Sequence, residues 1–421
     1  MLRLGDAAEA DLKERFDEID RISFLHTKRI LEAFARHKVS DACFNPTSGY
    51  GYDDLGRDKL DLIFADVFGA EKALVRTQIV NGTQALTVGL FGLLRPGDTM
   101  LSVAGKPYDT LEQVIGLSGR PGDGSLKDFG VGYACVELTK DGKLDFPKME
   151  AEIDKPGRKV RMLFVQRSKG YLNRRTLTSA EIGELVAFAR AKDPGLYVVV
   201  DNCYGEFVEE KEPSAYGADL VIGSLIKNPG GGMAETGGYL AGRERAVELC
   251  SYRLTSPGTG GEVGATLGVN KSLYKGLFYA PHTTAQALKT AHFAAYVFEA
   301  LGMEVEPGWK ERRADIILAV RTGSPEALCA LCRGIQAGSP VDAYVTPEPW
   351  DMPGYTDRVI MAAGAFTQGS SIELSADGPL RPPYTAYLQG GLTYESGKIG
   401  ILSAAQALLD AGLCKIGGTN A

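Results

Sequence analysis

Only seven cysteines occur in 421 residues, and the number is odd. A disulfide framework is thereby excluded, and the sparse thiols suit a reducing compartment. Histidine is scarcer still, at four, which argues against a metal enzyme built on several imidazoles. No block of Lys and Arg interrupts a formal balance of 46 − 53 = −7, so no nucleic-acid or anionic-membrane surface is expected. No run of 18 apolar residues offers a spanning helix. The opening Met1-Leu2-Arg3-Leu4-Gly5-Asp6 leads into a charged stretch without the apolar core of a signal peptide. The expectation is a soluble cytoplasmic protein with no metal, nucleic-acid or membrane partner. Gly258-Thr259-Gly260 lacks the third glycine of a dinucleotide fingerprint, because position 263 is Val, and no Gly-x-Ser-x-Gly elbow occurs. Cys329-Ala330-Leu331-Cys332 has redox or zinc spacing, but no second pair accompanies it, and the two read as buried helix cysteines.

What is present suits a large core: 44% of the chain is apolar, and the length allows two or three domains. Residues 8–39 space Leu12, Phe16, Ile19, Ile22, Ile30, Leu31 and Phe34 at helical intervals, which predicts an N-terminal helical arm. A helix is expected from about Arg57 to Phe68. From 73 to 242, β-rich runs recur at Ala73–Val80, Thr99–Ala104, Val131–Glu137, Val160–Gln166, Leu196–Asp201, Leu220–Gly223 and Gly238–Ala241. Helical stretches such as Thr83–Leu94 and Ser179–Ala191 separate several of them, which predicts βαβ units and a mostly parallel seven-stranded sheet. A long helix is expected over 281–302, and the remainder mixes strand and helix signals. The predicted fold class is therefore α/β, with a smaller C-terminal α+β domain. The predicted segments are a helical arm and interface segment at 1–50, a large domain at 51–290 and a small domain at 291–421.

Three signals carry chemistry. Asp201 closes the apolar run Leu196–Val200, at the strand end where parallel sheets bind ligands; alone it could equally cap the next turn. Lys227 follows the short strand Leu220-Val221-Ile222 and precedes Pro229-Gly230-Gly231-Gly232. A loop this tight can desolvate a lysine and make it nucleophilic. Asn81-Gly82-Thr83-Gln84 opens a helix after the first strand, where unpaired N–H groups favour a phosphate, although an ordinary capped helix reads the same way. Together the three match the needs of pyridoxal 5′-phosphate: a cup for the phosphate, a carboxylate for the pyridine nitrogen, and an amine for the aldehyde.

At this point the sequence resembles the fold-type I pyridoxal-phosphate enzymes of the cystathionine/methionine lyase superfamily. More closely it resembles the methionine γ-lyase-like branch, also labelled "aluminium resistance". The strings Ser48-Gly49-Tyr50-Gly51-Tyr52-Asp53-Asp54, Asn81-Gly82-Thr83-Gln84-Ala85, Gly105-Lys106-Pro107-Tyr108-Asp109-Thr110, Ser224-Leu225-Ile226-Lys227-Asn228-Pro229-Gly230-Gly231 and Tyr387-Leu388-Gln389-Gly390-Gly391-Leu392-Thr393-Tyr394-Glu395 carry it, over nearly the whole chain. The resemblance implies Lys227 as the Schiff-base lysine and Asp201 as the pyridinium partner. It implies Gly82, Thr83, Gln84 and Ser224 as phosphate ligands, and Tyr108 as the tyrosine that stacks on the ring and protonates a leaving group. Tyr50 or Tyr52 corresponds to a tyrosine reaching a neighbouring subunit's phosphate, which implies a homodimeric unit and a tetramer of two such dimers. Two departures stand out. The arginine expected two residues after Tyr50 is Tyr52, with Arg57 or Arg76 as possible replacements, and the residue before Lys227 is Ile226 rather than Thr. The superfamily's carboxylate-binding arginine lies in the C-terminal domain, for which Arg381 is the first candidate and Arg358 the second. Gln166-Arg167-Ser168 ends a strand at the same sheet edge.

The activity so implied is β- or γ-elimination on a sulfur-containing L-amino acid (cystathionine, methionine or cysteine-like), giving a thiol, a 2-oxo acid and ammonia. Other outcomes of the same chemistry are transamination, γ-replacement and aldol cleavage. A low-turnover cofactor-binding protein is the reading from another class.

Overall fold

A computed structural model describes residues 1–172, 174–352 and 357–415. The chain opens with α1 (Leu2–Arg36) and α2 (Leu55–Phe68). It then alternates through β1 (Lys72–Arg76), α3 (Gly82–Leu93), β2 (Asp98–Ser102), α4 (Asp109–Ile115), β3 (Gly132–Cys135), α5 (Phe146–Ile153), β4 (Lys159–Gln166), α6 (Ser179–Lys192), β5 (Tyr197–Asp201), β6 (Leu220–Ser224) and β7 (Gly238–Gly242). After α7 (Glu244–Leu254) and the long α8 (Asn270–Ala300) come β8 (Glu304–Glu306), β9 (Leu318–Arg321), α9 (Pro325–Ala337), β10 (Val359–Ala362), β11 (Ser375–Pro379), β12 (Thr385–Gln389) and α10 (Tyr394–Asp410).

The first sheet has seven strands in the order β1-β7-β6-β5-β4-β2-β3, parallel except where β7 pairs with its two neighbours. Its central strands are apolar on both faces because helices cover both. In β5, Val198 and Val200 enter one core with Ile63 and Phe64 of α2 and Leu185 of α6. Val199 between them enters the other core, with Leu86 and Leu90 of α3 and Val247 of α7. The strand expected over Ala73–Val80 stops at Arg76, because its partner β7 begins at Gly238 and the ladder has nothing further to pair with.

The helix expected to start at 281 starts eleven residues earlier, at Asn270, and carries Pro281 inside it. Proline is an ordinary stop signal, and it costs a helix interior about 3 kcal/mol. Burial along α8 outweighs that cost. Leu273 and Leu277 pack into the first core, whereas Phe293, Val297 and Phe298 pack into the second. Each such side chain contributes roughly 1.5–3 kcal/mol.

The second sheet is antiparallel throughout, in the order β10-β11-β12-β9-β8. Its faces divide by period two. Ala376, Leu388, Leu318 and Val320 meet α9, α10 and the end of α8, while Ala319 and Tyr387 face the first domain's loops. Helix α1 runs beside both domains, placing Ala8 and Leu12 in the second core and Ile30 and Ala33 in the first. Among the described residues no helix is long and apolar enough to cross a membrane, and no group of three or more His, Cys, Asp or Glu side chains is placed to hold a metal ion.

Candidate active site

A cavity of about 230 Å³ lies where the carboxyl ends of β4, β5 and β6 meet the N-terminus of α3 and the inner face of the second sheet. This is the crevice that open parallel sheets use for ligands. Gly82, Thr83, Tyr108, Asp201 and Lys227 all line it.

Asp201 is the last residue of β5, and the strand delivers its carboxylate to the sheet edge. The backbone N–H of Cys203 donates to it at 3.1 Å. Burial raises its pKa, and the Cys203 N–H and thiol, Lys227 and Arg174 only partly offset that. A buried carboxylate of this kind stays charged only against a cation.

Lys227 stands three residues past the end of β6, on a loop that cannot retreat. The loop presses on α8 through two glycines: a Cβ on Gly276 would overlap the Gly230 carbonyl oxygen. The ammonium nitrogen donates to Tyr204 Oη at 2.6 Å and to Ser371 Oγ at 3.1 Å, and it lies 3.8 Å from the centroid of the Tyr204 ring. Tyr204 Oη and Ser371 Oγ are themselves 3.1 Å apart, so the three polar atoms close a triangle across the two domains. Burial disfavours the charge on Lys227, but Tyr204, then Cys203 and Asp201, outweigh it and hold the ammonium above its ordinary range. Tyr204 has φ +74°, a left-handed conformation costly for an aromatic residue and characteristic of functional sites.

The candidate phosphate cup lies at the first turn of α3. Asn81 caps the helix by accepting from the Gln84 N–H at 2.8 Å, with Gly82 and Thr83 as the next residues in line. A Cβ on Gly82 would lie 3.5 Å from the Ser224 side chain, so the helix start faces the end of β6. The Ser224 hydroxyl is buried and has no hydrogen-bond partner among the described residues. An orphaned hydroxyl opposite an open helix N-terminus suits an anion. With Asp201 and Lys227 on the same cavity, the residues present fit pyridoxal 5′-phosphate.

The outer walls come from elsewhere. Tyr108 caps α4, its N–H donating to Gln166 Oε1 at 2.6 Å, and its ring meets Tyr171 edge-on at 5.5 Å. Asp377, Tyr387 and Gln389 of the second sheet and Cys203 complete the lining.

Several residues expected at the site stand apart from it. Gln84 turns its side chain back to accept from the Val80 N–H at 2.7 Å, as a helix-capping group does. Tyr50 and Tyr52 stack on each other at 5.4 Å and are 71% and 58% exposed, outside this chain's own cavity. Arg57 is held by Asp58 and the carbonyls of Gly51, Gly264 and Glu262, and Arg76 by Asp61 and Gly261, so neither brings a cation to the cup. Of Gln166-Arg167-Ser168, the outer two line the cavity, while Arg167 is buried behind them on Asn202, Gly205 and Glu209. Arg381 pairs with Asp357 at 2.9 Å and lines two adjoining clefts that share Tyr108, Gln166, Tyr171 and Tyr387 with the cavity. Arg358 bonds the Pro349 carbonyl.

Tyr204, Ser371, Tyr171 and Asp377 were not singled out from the sequence. Tyr204 had a signal, lying three residues past Asp201; Asp377 had none, on a strand read Ser-Ala-Asp-Gly-Pro.

The family profile described as methionine gamma-lyase matches residues 1–409. The uncharacterised protein YnbB of Bacillus subtilis is 53% identical over 401 residues, covering 95% of this chain and 94% of that one. A crystal structure of a carbon-sulfur lyase involved in aluminium resistance from Clostridium novyi superposes with a TM-score of 0.92 at 49% identity, covering 97% of this chain and 95% of that one. A Bacillus cereus structure superposes with a TM-score of 0.92 at 51% identity, covering 95% and 98%.

Proposed function

The chain belongs to the methionine gamma-lyase family of pyridoxal-phosphate lyases, and from that premise we propose that it cleaves a carbon–sulfur bond in an L-amino acid by β- or γ-elimination. The observation that carries this reading is the convergence of Lys227, Asp201 and the α3 N-terminus on one cavity.

When bound, the cofactor supplies an electron-accepting ring that makes the substrate's α-proton removable. Asp201 would hold the positive charge of the ring nitrogen, a cation that would favour its buried carboxylate beyond what Cys203, Lys227 and Arg174 supply. The N–H groups of Gly82 and Thr83 and the Ser224 hydroxyl would hold the phosphate, and Tyr108 would lie beside the ring. Tyr50 and Tyr52, exposed on this chain, complete the phosphate cup of a second copy in a homodimer.

Lys227 does two things in turn. With the cofactor bound it would hold the aldehyde end, and its Nζ would take the substrate's α-proton. Tyr204 and Ser371 determine where Nζ rests between these roles. The departing sulfur leaves with the electron pair of the broken bond and takes a proton from the Tyr108 hydroxyl. Arg381, reached through the shared walls Tyr108 and Tyr171, receives the α-carboxylate.

The test is the visible absorption spectrum of the purified protein beside Lys227→Ala, followed by assay of 2-oxo acid from cystathionine, methionine and cysteine. The expected result is a borohydride-sensitive band in the wild type alone, and keto-acid release from at least one of these substrates. A wild-type protein that shows no band after cofactor is added would sink the reading.

A further inference from the structure

The wall facing Lys227 contains a second buried carboxylate that the chemistry above does not use. Asp377 of β11 is paired in register with Tyr387 of β12, and Gln389 lies two residues further along the same face. All three line the cavity, whereas Ala376 and Leu388 point the opposite way into the second core. Asp377 is only 8% exposed.

Its hydrogen-bond partners are neutral. The Tyr171 phenol donates to Oδ2, and the Gln389 amide donates to Oδ1 at 3.4 Å and to Ser375 Oγ at 3.1 Å. Tyr171 is itself fixed from behind, its carbonyl accepting from the Tyr387 hydroxyl at 2.9 Å. Among the described residues, no Lys, Arg or His makes an ion pair with Asp377. Lys227 is the cation of the cavity lining, and it is committed to Tyr204 and Ser371. Burial pushes the Asp377 carboxyl up to about 6, against Tyr171, Gln389 and Lys227, so at neutral pH it is mostly charged. Buried charge of this kind is retained where something cationic meets it. Asp201 would meet the ring nitrogen; Asp377 has no cation paired with it among the described residues.

Resting on the lyase reading, we propose that Asp377, set by Tyr171 and Gln389, is a subsite for an ammonium at the far end of the substrate side chain. The preferred substrate class is then a thioether amino acid whose leaving group carries a protonated amine. Thioethers ending in an alkyl group or a carboxylate fit less well.

Binding tests this without turnover. The holoenzyme is titrated with ornithine, norvaline and glutamate, which have no sulfur to eliminate, and binding is read from the change in the visible band. The wild type should bind ornithine at least about tenfold more tightly than norvaline, and glutamate most weakly. Asp377→Asn keeps the shape, its amide oxygen still accepting from Gln389 while its NH2 donates to the Tyr171 phenol oxygen instead of accepting from it; it should bring ornithine to within about threefold of norvaline and leave norvaline unchanged. Equal wild-type affinity for ornithine and norvaline overturns the proposal whether or not the variant folds. So does a preference that survives in Asp377→Asn. A wild type with no visible band fails the lyase reading, and the subsite falls with it. A wild type with the band but no preference fails the subsite alone.

Discussion

At the scale of single residues, the hold on Lys227 is the feature most open to test. Tyr204 adopts a strained backbone conformation and places its phenol 2.6 Å from the amine. Strain of about 1–3 kcal/mol persists only where the surroundings over-determine it. Tyr204→Phe keeps the ring and removes the hydroxyl. The expected result is a fall in kcat of about 10²-fold, the lower end for loss of a proton-handling group, with cofactor still bound. Because Tyr204 heads the interactions that raise the Lys227 pKa against burial, the Lys227 amine of the cofactor-free variant should react faster than that of the wild type with an amine-directed reagent at a fixed pH. An unchanged rate would assign Tyr204 to packing alone. Asp201 and Lys227 were legible in the sequence because each follows an apolar run and so must emerge at the sheet edge. Ser371 and Asp377 were not, since their roles depend on approach between segments over a hundred residues apart, which no local pattern records; Tyr204, 23 residues before Lys227, had only its place after Asp201 to mark it.

At the scale of elements, the sheet was readable, and the long helix was readable only from Pro281 onward. Each of the seven strands of the first sheet shows as a short apolar or β-branched run. That signal is strongest in β5, where both faces are covered. Helix α8 was cut short at Pro281, because a proline speaks locally and the burial that overrides it does not. The same helix supports the Lys227 loop through Gly276 and Gly230. Gly276→Ala gains helix propensity, worth about 1 kcal/mol in isolation. It also forces a methyl into backbone, where overpacking costs about 1–3 kcal/mol. The net expectation is a loss of about 1–2 kcal/mol in urea unfolding, with a shifted visible band as the loop moves. A variant more stable than the wild type, with an unaltered band, would show the contact to be slack.

At the scale of the whole molecule, buried titratable groups pull the stability in opposite directions with pH. His292 donates Nδ1–H to the Trp309 carbonyl at 2.9 Å; burial, with the positive charge of Arg313, pushes it down to about 3. Below its ordinary value of 6.5 the unfolded chain takes a proton that the folded chain refuses, so this contribution is complete above 6.5 and is lost as pH falls. Glu206 behaves in reverse. Burial, with Glu212 adding repulsion, raises it to about 8, so the folded chain keeps a proton that the unfolded chain releases above 4.5. That contribution is lost as pH rises towards 8. Against His292→Gln, the wild type should lose on the order of 2 kcal/mol between pH 6.5 and 5. Against Glu206→Gln, it should lose a similar order between pH 6.5 and 8. Parallel pH profiles for wild type and variant would show that either group titrates as it does in water.

The placement of α1 has a consequence in time. Its first turns pack against the far end of the chain: Ala8 and Leu12 share a core with Ile401 and Ala405, and Glu9 accepts from the Tyr394 hydroxyl. Chain growth at roughly 5–20 residues per second separates Leu12 from Ile401 by about 20–80 s. Throughout that interval the apolar stripe of α1 has been made but its second-core partners have not. The second-core side of α1 is thus made long before the residues that cover it, and until Ile401 and Ala405 arrive Ala8 and Leu12 are open to any apolar surface that can shield them.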